Sequence, residues 1–292
     1  MVTGLVLIPF YLLLAAIRGV PGLRFRRLVV GTGLRLLANF RSSFPRKLAF
    51  QMVALPMDST RYFEFDYMAR IADSTRPSRY LDVSSPRMVP LSVALKRPDL
   101  HVDLINPDVE DLAITRSLIG SLGLERRISS LGCLISDAPY PAGTFDLITC
   151  ISVLEHIPED SSAIKGMWSL LKSGGALILT VPCMATAAEQ HIDYDTYKLL
   201  PKDGDGFVFW QRFYDDALLQ ARVLDHLPPP SNVEIYGEKI AGSFFRDAQL
   251  KRRAHYYPFW RQPYMMASEY RYFDQIASLP GDGVIAMTFR KP

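Results

Sequence analysis

FDLITCISVLEHIPEDSSAIKGMWSLLKSGGALILTVP, residues 145–182, reads as strand, helix, strand. Phe145–Ile151 is a short, largely apolar run of strand length. Residues 160–172 space their apolar side chains at helical intervals, and Gly174-Gly175 ends that helix. Ala176–Val181 is a second apolar run. Neither run alternates, which predicts strands covered on both faces of a mostly parallel sheet. Working outward, Arg79–Val83, Leu100–Ile105 and Ser129–Ile135 are further strand candidates upstream. Asn106-Pro107-Asp108 begins a helix that runs to about Leu122, with Asn106 as a cap. Downstream, Pro228-Pro229-Pro230 marks a loop before a strand at Asn232–Tyr236, and Val284–Phe289 is a closing strand. Strands alternating with helices predict a doubly wound α/β fold. Ligands then sit at the carboxyl ends of the strands, so the residues just after each strand matter most.

The chain has 292 residues, 49% hydrophobic and 22% charged, which argues against disorder, collagen and coiled coil. Its three cysteines, Cys133, Cys150 and Cys183, form no CxxC pair, so a disulfide scaffold or Cys-rich zinc site is not expected. They suit a reducing, cytoplasmic setting. Charge is unevenly spread. Residues 1–57 hold eight cations and no acid, leaving −5 for residues 58–292 of a chain whose net charge is +3. Residues 4–17 are an uncharged apolar run of 14, short of the roughly 20 needed to span a bilayer. Basic residues follow rather than precede this run, unlike a secretory signal. Residues 24–40 continue as an apolar stretch studded with arginine. Two readings stay open for 1–57: a membrane-surface element that holds the chain on the inner face of an anionic membrane, or a packed cap or homodimer contact. No nucleic-acid motif accompanies the basic patch, so no nucleic-acid partner is expected. The division predicted is 1–57 as a helical extension and 58–292 as the main domain, with an insert at about 239–280.

Three segments carry a resemblance. Ser136-Asp137-Ala138-Pro139-Tyr140-Pro141-Ala142-Gly143-Thr144-Phe145-Asp146-Leu147 is the first. Ile151-Ser152-Val153-Leu154-Glu155-His156-Ile157-Pro158 is the second, and Leu171-Lys172-Ser173-Gly174-Gly175 through Val181-Pro182 the third. In order and spacing they resemble class I S-adenosylmethionine-dependent methyltransferases of the small-molecule type. The resemblance covers roughly residues 78–184, and loosely an Arg212–Leu219 helix and the last strands. It implies a Rossmann-like, mostly parallel seven-stranded sheet, S-adenosylmethionine as cofactor, and O-methylation of a small-molecule, sugar or lipid-linked acceptor. The rival reading is a non-catalytic, membrane-associated scaffold with the same fold.

One departure feeds that rival. The family's first strand ends in a glycine-rich D-x-G-x-G-x-G loop, whereas this chain has Asp82-Val83-Ser84-Ser85-Pro86-Arg87-Met88. Either Ser84 and Ser85 keep a tight turn while Arg87 pairs with the cofactor carboxylate, or cofactor binding is lost. At the second strand the family's ribose-binding acid is replaced by Leu104; Asn106 is the better-placed polar group, unless it is only a helix cap. Resemblance also places Asp137 at the adenine amino group, with Ala138 beside it, and the backbone of Ile151 and Ser152 near the sulfonium. Asp82 completes the cofactor set.

Glu155-His156 is the candidate catalytic pair, because a hydroxyl acceptor must lose a proton and histidine suits that near neutral pH. The bland alternative is that both cap and pack the next helix. Relatives with E-x-x-E-H hold a divalent metal; here the first acid is Ser152, so no metal is expected. Acceptor-side candidates are His191, Asp193, Tyr194, Tyr197, Trp210, Arg212 and Tyr214, where aromatic and cationic side chains suit a ring or sugar.

Overall fold

The computed structural model describes residues 2–195, 197–244 and 261–292. Four helices precede the sheet: α1 (Val2–Ile17), α2 (Leu23–Ala38), α3 (Arg46–Ala54) and α4 (Arg61–Thr75). Then β1 (Arg79–Val83), α5 (Met88–Lys96), β2 (His101–Ile105), α6 (Val109–Ser121) and β3 (Ile128–Leu131) follow in strict alternation. β4 (Phe145–Ile151), α7 (Asp160–Leu170) and β5 (Leu171–Cys183) form the stretch that opened the sequence reading. Next come the ribbon β6 (Ala188–Ile192) and β7 (Val208–Phe213), then α8 (Asp216–Arg222) and β8 (Asn232–Glu238). The chain closes with α9 (Gln262–Glu269), β9 (Tyr270–Phe273) and β10 (Gly283–Arg290).

The main sheet has the order β3-β2-β1-β4-β5-β10-β8-β9. β3 to β5 are parallel, and β10 inserts antiparallel between β5 and β8. Seven strands were expected and eight are present; the eighth, β9, comes from the expected insert and pairs antiparallel on the β8 edge. Residues 245–260 of that insert lie outside the described residues.

Several boundaries differ: β5 begins at Leu171, so Gly174-Gly175 lies within the strand and does not end α7, and three other differences have a local reason. α6 is capped by Asp108, whose carboxylate accepts from Glu110 N at 2.9 Å and Asp111 N at 3.0 Å, so Asn106 is not the cap. The third strand ends at Leu131, and Ile135–Asp137 turns into a short 3₁₀ helix. Arg212 belongs to strand β7, and the helix after it starts at Asp216, capped by Asp215. The aromatic run 207–214 has the β-branched and aromatic character of a strand.

Burial explains the layers. One cluster packs Val29, Phe44, Tyr62 and Tyr67 of the N-terminal helices with Val102 and Ile178 of the sheet. The other face packs Leu81, Ile148 and Leu179 under Ile164 and Met167 of α7. The N-terminal helices therefore share the core of the main domain. α2 and α3 approach closely because Gly33 has no side chain: a Cβ there would lie 2.9 Å from Ala49 O and from the side chains of Met52 and Val53. Among the described residues, no helix is long and apolar enough to cross a membrane.

Candidate active site

The carboxyl ends of β1, β2 and β4 open into a cavity of about 1020 Å³. Its floor is the loop after β1 and the first turns that follow β2 and β4. Its roof is apolar, from Val29, Phe44, Leu48, Met52, Leu55 and Phe65. Residues 192–210 close one side.

The β1 loop is tight despite its lack of glycine. Ser84 takes the left-handed backbone conformation, φ 54°, that glycine adopts without cost. Its N–H and hydroxyl both donate to Ile105 O, at 2.9 and 3.2 Å. Ser85 N donates to Asp82 Oδ2 at 3.0 Å, and Ser85 Oγ accepts from Ile151 N at 3.0 Å. Asp82 also accepts from Thr149 Oγ1 at 2.6 Å. Burial pushes its carboxyl up to about 6, against the pull of these hydrogen bonds. Asp82 thus holds the loop from below and is not in the cavity wall, whereas Ser84, Ser85 and Arg87 are. Arg87 Nη2 pairs with Asp111, whose other oxygen accepts from Asn106 Nδ2 at 3.0 Å. Arg87 Nε is buried without a hydrogen-bond partner. Asn106, Asp108 and Asp111 all line the cavity at this corner.

At the end of β4, Ser152 is again left-handed, φ 48°. Such strain persists only where the surroundings hold it. Here Ser152 N donates to Thr180 O at 3.1 Å, and the Ser152 hydroxyl donates to Glu64 of α4. Glu64 is fully buried and also accepts from Thr180 Oγ1 at 2.6 Å and from Arg61 at 3.2 Å.

His156 lies in the cavity wall. Its Nδ1 sits 2.6 Å from Trp210 O. A carbonyl only accepts, so Nδ1 carries the proton and the neutral ring keeps its lone pair on Nε2. Burial, with Arg61 adding to it, holds the His156 pKa below its ordinary 6.5 although the Trp210 bond opposes this. The imidazole is therefore neutral at pH 7. It packs edge-on to Tyr197 and Trp210, whose rings stack 5.4 Å apart. Asp195 shapes the covering loop by accepting from the N–H groups of Tyr197, Lys198 and Leu200 at 2.7–3.2 Å.

Glu155 is not in the cavity wall. It is buried, its Oε2 has no hydrogen-bond partner, and its Oε1 is 3.9 Å from His156 Nε2, too far to bond. Burial, with Glu64 nearby, pushes its carboxyl up to about 8. Between the ordinary 4.5 and about 8 the unfolded chain ionises this group while the folded chain keeps it neutral, so it erodes stability as pH rises across that window. Glu155→Gln is expected to flatten this decline, read by urea unfolding at both ends of the window. An unchanged decline would mean the carboxyl is not buried in neutral form.

The structure thus gathers Ser84, Ser85, Arg87, Asn106, Ser152, His156, Tyr197 and Trp210 around one cavity. Other candidates lie elsewhere. Asp137 is exposed on the 3₁₀ turn while its neighbour Ser136 lines the cavity, and Ala138 packs against the lower core. The Ile151 N–H is spent on Ser85. His191 packs edge-on to Phe209 in the β6–β7 ribbon, and Tyr194 is 63% exposed. Arg212 and Tyr214 are buried around Asp160, at 2.6 and 2.7 Å, outside the cavity. Sequence reasoning missed Arg61, Glu64 and the individual roof residues, although a packed cap was one of its two readings of residues 1–57. The one local signal was the Arg61/Glu64 pair at i,i+3 on a helix. Among the described residues, no group of three His, Cys, Asp or Glu side chains that could hold a metal ion occurs.

Comparison with known proteins is consistent with this layout. Residues 81–179 match the family described as Methyltransferase domain. The chain is similar to the ubiquinone biosynthesis O-methyltransferase of Xanthomonas campestris pv. campestris (strain B100), 32% identical over 154 residues, covering 50% of this chain and 62% of that one. It is similar to the enzyme of the same name from Xylella fastidiosa (strain M23), 30% identical over 127 residues, covering 43% and 50%. The chain thus spans between half and about three fifths of the length of these curated relatives. Among solved structures, geranyl diphosphate methyltransferase in complex with SAM superposes with TM-score 0.51 at 11% identity, over 88% of this chain and 94% of that one. The MccD protein gives 0.53 at 10% identity, over 79% and 96%. At such identities it is the fold that is shared.

Proposed function

We propose that this chain is a class I S-adenosylmethionine-dependent methyltransferase, a reading its matched domain and its fold support, and that it moves a methyl group to a hydroxyl of an apolar acceptor. The observation that carries this is the His156 tautomer: Nδ1 is tied to Trp210 O, which leaves a basic Nε2 in the wall of a cavity with an apolar roof. A ring hydroxyl on an isoprenoid or other lipid-linked tail suits that cavity. The similarity to ubiquinone biosynthesis O-methyltransferases supports the same class of acceptor.

When bound, S-adenosylmethionine supplies a methyl on a positively charged sulfur, ready for in-line displacement. The chain's own residues fit such a group. The left-handed Ser84 lets the β1 backbone turn away sharply, and the buried Arg87 Nε, still without a partner, suits a carboxylate. Asn106 and Asp108 suit hydroxyls of a sugar. His156 Nε2 takes the acceptor proton, while Tyr197 and Trp210 flank the acceptor ring and exclude water. Alignment of the two reactants supplies much of the rate.

Methyl-labelled S-adenosylmethionine with a short prenylated catechol tests the reading: label should pass to the ring oxygen. Calorimetry tests the cofactor corner. Arg87→Met is expected to weaken binding of S-adenosylmethionine by about tenfold or more, the equivalent of one charge-assisted hydrogen bond. Methylthioadenosine, which lacks the amino-acid part, should bind the variant and the parent alike. Equal losses for both ligands would remove Arg87 from the carboxylate. The pairing of Arg87 with Asp111 favours one rival, a scaffold that binds no cofactor; absence of any binding of the cofactor or its demethylated product at millimolar concentration would establish it. In this reading the chain acts at the inner face of a membrane, where such acceptors reside.

A further inference from the structure

Eight of the sixteen large apolar side chains exposed among the described residues fall within residues 6–50. On α1, Val6, Phe10, Leu13 and Ile17 recur at i, i+4, i+7 and i+11 and so share one face; they are 54–72% exposed. The other side of α1 is anchored. Tyr11 packs on Tyr264 of α9 at 5.7 Å, Ala15 is buried, and Arg18 reaches Ser268 at 3.2 Å. The helix is therefore fixed to the body with an apolar face turned outward. Its 16 residues rise about 24 Å, less than a bilayer's hydrocarbon core, so it can lie along a bilayer but not cross it.

Charge selects the occupant. Seven of the eight cations in residues 1–57 are exposed, Arg26 being the buried one, and the segment has no acid. A second copy would bring the same cations against themselves, whereas an anionic bilayer complements both the cations and the apolar face. We infer that α1 to α3 form a docking surface for an anionic phospholipid bilayer, with the Val6–Ile17 face of α1 set into the boundary between headgroups and acyl chains. α3 links this surface to the cavity: Leu48, Gln51 and Met52 line the cavity while Phe50, on the same helix, is 60% exposed. A lipid tail in the roof of the cavity then leads toward the bilayer. That last step rests on the apolar acceptor proposed above; the docking itself does not.

The test uses the full chain without cofactor or acceptor, sedimented with vesicles of phosphatidylcholine containing phosphatidylglycerol, and with phosphatidylcholine alone. Binding to the mixed vesicles is expected, falling only in part as salt screens the charges over roughly 8–10 Å. Phe10→Glu/Leu13→Glu should lower the bound fraction about tenfold or more at every salt concentration. Arg24→Gln/Arg27→Gln should weaken binding at low salt and change little at high salt. Failure of the parent chain to sediment with mixed vesicles at low salt overturns the inference. So does a dimer, seen by light scattering, that Phe10→Glu/Leu13→Glu dissolves in a chain that ignores vesicles. Calorimetry with S-adenosylmethionine keeps the two readings apart: a chain that binds cofactor but no vesicles refutes docking alone, and one that binds vesicles but no cofactor refutes methyl transfer alone.

Discussion

His156→Ala is expected to lower kcat for methyl transfer by about 10²–10⁴-fold while leaving affinity for S-adenosylmethionine unchanged, since only the proton acceptor is removed. The parent should also carry a pH signature the variant lacks. Burial lowers the His156 pKa below 6.5, so Nε2 is free at neutral pH and is protonated only as pH falls through that depressed value. Parent activity should therefore be flat near pH 7 and drop on acidification; residual activity of the variant should not show that drop. Tyr197 and Trp210 stack on each other and meet His156 only edge-on, so the loop retains a packing partner when the imidazole is deleted. A variant with parental kcat would leave Nε2 without a role and return Glu155-His156 to a cap.

The second large effect concerns folding. Asp160 is fully buried in the first turn of α7. It accepts from Arg212 Nη1 at 2.6 Å, Tyr214 OH at 2.7 Å and Arg222 Nε at 2.7 Å. The same arginines donate to Pro158 O, so the network clamps the segment that carries His156. Asp160→Ala leaves the Arg212 guanidinium, 5% exposed, with only the longer 3.4 Å contact to the exposed Glu189 as counter-charge. Losing one partner of a buried pair costs about 3–5 kcal/mol. For a chain of this size that corresponds to a Tm lower by roughly 10 °C, read by calorimetric or circular-dichroism melting. Burial alone would raise the Asp160 pKa, but the bonds from Arg222, Tyr214 and Arg212 outweigh it and the value is lowered. Its contribution is thus complete above the ordinary 3.8 and is lost as pH falls below that toward the folded value. Asp160→Asn, which keeps the shape without the charge, should fall between parent and alanine variant. A melting temperature within about 2 °C of the parent would show that the arginines find other partners.

Arg212 illustrates how the sequence misleads. An arginine in the aromatic run 207–214 reads as an acceptor contact, because aromatics with a cation suit a ring. Strand β7 instead turns Arg212 toward the buried end of α7. Trp210 on the same strand lines the cavity. Residues two apart share a face of a regular strand, but the pairing here passes from Gln190–Gln211 to His191–Phe209 and leaves Trp210 in an irregularity between them, which is not written in the residues themselves. Asp137 is a similar case: its motif is intact, but the 3₁₀ turn leaves Ser136 at the wall and Asp137 outside.

What the sequence by itself determined was the α/β order, the parallel run of strands and the neighbourhood of the site. Period and apolar content are local properties, so Phe145–Ile151 announced β4 to the residue. Ser84, Asn106 and Ser152 were legible because each directly follows a strand, and Arg87 and His156 because they lie in the segments just beyond β1 and β4, where such sheets expose their loops. What only the tertiary structure decided was everything that requires two distant segments to meet. Glu64 reaches Ser152 across 88 residues, and His156 acquires its tautomer from a carbonyl 54 residues away. Most of the cavity's roof comes from residues 1–57, for which the sequence left a membrane-surface element and a packed cap both open. A hydrogen bond between remote segments has no period and no composition; it exists only once the core that joins those segments has closed.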